Sequence, residues 1–106
     1  MKRMLTLFAV AAALGAQGCV GLAHPVAADV PRAQEHFPEA TLASLVLGRE
    51  AYSRRCAGCH ALFLPGSRSP AQWPKDIEEM ERDAKLLPGE RVLIEQFLVT
   101  MATRPP

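Results

Sequence analysis

The chain has no apolar run of the roughly 20 residues that a membrane-spanning helix needs; the stretch Leu5 to Leu14 stops at about half that length. It also lacks an excess of either charge. Formal net charge is +1 and aromatic residues make up 6% of the sequence, so nothing suggests the basic, aromatic-laced surface of a nucleic-acid binder. Three cysteines in 106 residues are too few for a disulfide framework of the kind that staples small secreted domains. No paired catalytic carboxylates, nucleophile elbow or glycine-rich phosphate loop can be picked out, which argues against an intrinsic enzyme. No convincing strand pattern or internal repeat appears either. The length allows one small domain.

The beginning of the chain has the layout of an export signal. Lys2 and Arg3 form a basic start, Leu5 to Leu14 match a signal-peptide apolar region in length, and small residues follow. Ala16-Gln17-Gly18-Cys19 then resembles a bacterial lipobox, with leucine more usual at the place of Ala16 and Gln17 bulky for its own. Processing before Cys19 would make that residue the lipidated start of the mature chain. Cleavage after Ala23 or Ala28, or an uncleaved anchor, are the alternatives. Removal of residues 1–18 leaves ten basic against eleven acidic side chains. Residues 19–38 carry Pro25, Pro31 and Pro38 with no sustained periodicity, and read as an extended tether with a reach of tens of ångströms. Val20, after Cys19, is not an inner-membrane retention residue of the enteric kind.

The run Cys56-Ala57-Gly58-Cys59-His60 carries the most chemistry. C-x-x-C-H is the attachment signature of c-type haem: two thiols add across the porphyrin vinyl groups and the next residue sits beneath the iron. Other uses of this spacing fit poorly. A zinc site needs four ligands and the folded part offers no third cysteine; a thioredoxin-like dithiol belongs in a βαβ setting.

Helical periodicity surrounds the motif. Leu42, Leu45, Val46 and Tyr52 predict a helix from about Glu39 to Arg54, with Pro38 at its first position and Gly48 marking a place where another helix comes close. Pro65, Gly66, Ser67, Ser69 and Pro70 predict a loop over residues 61–72. Trp73-Pro74 begins a second helix, with Ile77, Met80 and Ala84 on one face, and Ile94, Phe97, Leu98 and Met101 define a last one. The acidic cluster Asp76, Glu78, Glu79, Glu81 and Asp83 reads as a solvated helix face, with a docking patch for a basic partner as the second reading. The expected fold is all-α: about three helices over residues 39–104. So few large apolar side chains make a marginal core. A mostly apolar cofactor would complete it.

Gly48-x-x-x-Tyr52-x-x-x-Cys56-x-x-Cys59-His60 resembles the N-terminal helix and haem signature of small single-haem c-type cytochromes. Leu86-x-x-x-Glu90-x-x-x-Ile94-x-x-Phe97-Leu98 resembles their C-terminal helix, and His60-x-Leu62-x-x-Pro65 with Trp73-x-x-x-Ile77-x-x-Met80 resembles a short-loop group within them. The likeness covers about residues 44–100. It implies one covalent haem c, with thioethers to Cys56 and Cys59 and His60 as proximal ligand. A carbonyl near Pro65 would orient the imidazole. Arg68 would pair with a haem propionate, unless it is only a solvated surface charge. Trp73 would pack on the porphyrin or donate its N–H to a propionate, unless it is simply a core aromatic. Met80 would be the distal ligand, with Met101, His36 or an open position as alternatives; His24 falls in the tether. The implied activity is one-electron transfer with redox protein partners on the periplasmic side of a bacterial membrane, lipid-anchored or soluble. A gas-binding haem protein and the haem subunit of a larger oxidoreductase are the other readings.

Overall fold

Thr41 and Ser44 set the start of the central helix. The Thr41 hydroxyl accepts the Ser44 N–H at 3.0 Å while the Ser44 hydroxyl accepts the Thr41 N–H at 2.9 Å, a reciprocal cap that satisfies two end groups. In the computed structural model, which describes residues 21–56 and 62–105, the described residues form four α-helices and no strand. These are α1 (Val30–His36), α2 (Leu42–Cys56), α3 (Trp73–Met80) and α4 (Glu90–Ala102). Short 3-10 turns occupy Ala27–Asp29 and Pro65–Ser67. The all-α expectation holds among the described residues. Cys19, Cys59 and His60 lie outside the described residues.

Helix α2 begins three residues later than the periodicity predicts, because the Thr41 cap displaces Pro38 and Glu39 into a preceding turn. Helix α3 ends at Met80 rather than continuing to Ala84. Residues 81–85 tighten into turns, with Lys85 at φ 53° and the Leu86 N–H reaching back to the Glu81 carbonyl at 3.4 Å.

Helices α2 and α4 cross at Gly48. A Cβ placed on that glycine would stand 2.0 Å from the Leu93 carbonyl oxygen and 2.9 Å from the Phe97 Cβ, so only a hydrogen fits between the two backbones. Around the crossing, Tyr52, Trp73, Ile77, Ile94, Phe97 and Leu98 form the core. The Tyr52 ring meets Trp73 edge-on at 6.2 Å between centroids, an arrangement favoured by the ring quadrupoles.

The largest departure from expectation is in residues 21–38. They do not form an extended tether: Ala27–Asp29 and α1 are helical, and the segment straps across α4. Leu22 enters the main core and Ala33 packs with Ala40 and Leu45. Asp29 is 2% exposed and receives Arg104 at 2.5 Å, Arg32 at 2.8 Å and the Val26 N–H at 2.8 Å. Arg104 also donates to the His24 carbonyl at 3.0 Å and Arg49 to the Leu22 carbonyl at 2.9 Å. Burial alone would raise the Asp29 pKa, but the hydrogen bonds from Arg104, Val26 and Arg32 outweigh it and hold the carboxyl well below the ordinary range. Composition concealed this segment because its order comes from long-range ion pairs and one buried leucine rather than from periodicity.

Candidate functional site

Cys56 is the last residue of α2, so that helix delivers it to the edge of the core. It lines a narrow cleft with Tyr52, one turn earlier, and with Ile94 and Leu98 of α4. Ile77 and Met80 of α3, with Glu81, Ala84 and Leu86 beyond it, form the opposite side. The predicted attachment cysteine and the predicted distal methionine therefore face one apolar space. Met101, the competing methionine, is buried in the core and does not line it.

Three hydrogen bonds fix the chain that follows the motif. The Tyr52 hydroxyl donates to the Phe63 carbonyl at 2.7 Å, the Ser67 hydroxyl to the Leu64 carbonyl at 2.6 Å, and the Trp73 indole to the Pro65 carbonyl at 2.8 Å. Burial, with the nearby Cys56 adding to it, pushes the Tyr52 phenol up to about 12, so it remains a donor at neutral pH. The Pro65 carbonyl, assigned by resemblance to the imidazole, already accepts from Trp73; a carbonyl oxygen has a second lone pair for another donor. Trp73 is 0% exposed, and donation of its N–H to a propionate would have to displace the bond to Pro65. Replacing Trp73 with Phe leaves that carbonyl without its indole partner. We expect a loss of about 1–2 kcal/mol in denaturant unfolding, with Trp73→Ala losing about 3–5 kcal/mol through the cavity it leaves.

Arg68 is engaged by protein groups. It pairs with Asp76 at 2.6 Å and its guanidinium lies 4.2 Å from the Phe63 ring centre and 5.2 Å from that of Trp73. A propionate would share this cation with Asp76. Two members of the acidic cluster are likewise in ion pairs, Asp76 with Arg68 and Glu81 with Arg91 at 2.9 Å.

Glu90, the first residue of α4, ties that helix to the end of α2. Its carboxylate accepts the Leu87 N–H at 2.7 Å and Arg55 at 2.9 Å, with Arg54 at 3.5 Å. The Leu87 N–H contributes most to lowering its pKa, and Arg55 and Arg54 add to this. The contacts missed in the sequence are Tyr52 with Phe63 and Arg55 with Glu90. The Tyr52 spacing was visible, but the loop carbonyl it meets has no side-chain signature.

Among the described residues, no group of three or more His, Cys, Asp or Glu is placed to hold a metal ion, and no helix is long and apolar enough to cross a membrane. Comparison with protein-family models, curated proteins and solved structures finds no match.

Proposed function

We propose that this chain is an exported, membrane-anchored c-type cytochrome that carries single electrons through one haem. Cys56 and Cys59 hold the porphyrin, His60 is the proximal ligand and Met80 the distal one. The observation that carries the reading is the shared apolar cleft of Cys56 and Met80, closed by Ile94 and Leu98 of α4. Thiol, thioether and aliphatic lining suit a porphyrin in chemistry. In size the cleft is about 10 Å³, against several hundred cubic ångströms for a cofactor pocket. Binding therefore requires the cleft to widen, and the turns after Met80 are one wall that faces α4. Their main ties there are the Glu81–Arg91 ion pair and the packing of Leu86.

A bound haem supplies a ferric–ferrous couple, and methionine ligation favours the ferrous form relative to a second histidine. The chain's own contribution is to exclude water with Ile77, Leu86, Ile94 and Leu98, and to hold the loop after the motif through Tyr52 and Trp73. Processing before Cys19, rather than after Ala23 or Ala28, is supported by the buried Leu22 and by its carbonyl's bond to Arg49, both of which later cleavage would remove.

Met80→Ala tests the ligand assignment. The sulfur-to-iron absorption band of the ferric protein is expected to disappear, and the ferrous variant to bind carbon monoxide that the parent resists; Met101→Leu should retain the band. A high-spin ferric parent that binds carbon monoxide directly would instead identify an open-site gas binder.

A further inference from the structure

One wall of the cleft between Cys56 and Met80 is a single layer of side chains. Glu81 and Leu86 line the cleft on their inner side and, on their outer side, a solvent-open hollow of about 520 Å³ that they share with Glu78, Arg82, Lys85 and Arg91. The other walls are tied into the core. Helices α2 and α4 are in backbone contact at Gly48, and Tyr52, Ile77, Ile94 and Leu98 all belong to the main cluster. From this we propose that the cleft is the closed form of a larger binding site: residues 81–86 swing outward as a flap, cleft and hollow merge, and the joined space receives the porphyrin. The proposal rests on the haem reading above and adds how the chain takes the group in.

The segment is fastened as a hinged piece would be. At one end α3 stops at Met80, and at the other the Leu87 N–H is held by the Glu90 carboxylate at 2.7 Å, itself bound to Arg55. Between these ends the turn hydrogen bonds are long, 3.3 Å from the Lys85 N–H to the Arg82 carbonyl and 3.4 Å from the Leu86 N–H to the Glu81 carbonyl. Lys85 has left-handed backbone at φ 53°, a conformation that costs a side-chain-bearing residue energy and that opening can relieve. Arg91 is the latch. Glu95, one turn along α4, orients its guanidinium at 3.1 Å, and the same group then holds Glu81 at 2.9 Å. Both partners of the Glu81–Arg91 pair are partly exposed, so it is weak and screened by salt. Release of that pair and of the Leu86 contacts therefore opens a space of several hundred cubic ångströms, the range of a cofactor pocket.

Residue-resolved hydrogen exchange on the full chain made without haem attachment reads the flap directly. The Lys85 and Leu86 amides are expected to exchange well before those of Ile94 and Leu98. Arg91→Met keeps the apolar stem and removes the charge. It should speed exchange at Lys85 and Leu86 about threefold to fivefold, leave α4 unchanged, and abolish the acceleration that about 0.5 M NaCl causes in the parent. Free haem, followed by its Soret absorbance, should bind the variant faster by the same factor. Equal exchange in variant and parent, or an acceleration spread over α2 and α4, would overturn the flap even where the intact chain carries haem. A flap that opens while haem does not bind would overturn the occupant, and the haem reading with it.

Discussion

Gly48→Ala is expected to cost about 3 kcal/mol, although alanine is the better helix former by about 1 kcal/mol. The added methyl would lie 2.0 Å from the Leu93 carbonyl oxygen and 2.8 Å from its carbon, which are backbone atoms of the opposing helix. No rotamer change relieves that overlap, so α2 and α4 must separate by an ångström or more. Separation loosens Tyr52 against Phe97, and with them both walls of the cleft that carries Cys56. Forcing one extra carbon into a well-packed contact typically costs about 1–3 kcal/mol, more where backbone is the obstacle. For a domain this small the midpoint of thermal unfolding should fall by about 10 °C or more. Gly66→Ala is the control, because a Cβ there meets nothing within 4 Å. Equal midpoints for the two variants would mean that the helices do not cross at Gly48.

Arg104→Ala should be nearly as damaging. It removes the closest partner of a carboxylate that is 2% exposed, leaving Asp29 with Arg32 and one backbone N–H. Breaking a buried ion pair from one side costs about 3–5 kcal/mol, and the 30% exposure of Arg104 places this one at the lower end. The pH dependence has a definite sign. The folded-state pKa of Asp29 is depressed, so its stabilisation is present above the unfolded carboxylate value near 4 and is lost as pH falls through the folded value. The parent strap should therefore hold well into acid, and that of the variant should release at a higher pH. Pepsin cleavage at Leu22 and Phe37 of the strap, measured against pH in the acid range where that protease works, reports it; identical profiles would show that the clamp contributes nothing.

Much of the helical body was legible because its signals are local. Gly48 marked the close crossing, Trp73-Pro74 opened α3 at the predicted residue, and Ile94, Phe97, Leu98 and Met101 gave the buried face of α4. What escaped is non-local. The end of α3 at Met80 rather than Ala84 depends on turns that bring Glu81 to Arg91. Helix α1 depends on an aspartate clamped by an arginine near the other end of the chain. At the site, Cys56 and Met80, both named by the resemblance, line one cleft. The partners of Arg68 and Trp73 did not follow from the resemblance, because Asp76 and a loop carbonyl compete for the same donors.

A haem fixed through Cys56 and Cys59 is tested most directly by an intact-mass measurement on the full chain, produced in a host that exports it and attaches haem. A mass increase of one haem that survives acid–acetone extraction, and that disappears when both cysteines are changed to serine, is the predicted result. A parent chain carrying only its own mass, or haem that the extraction removes, would contradict it.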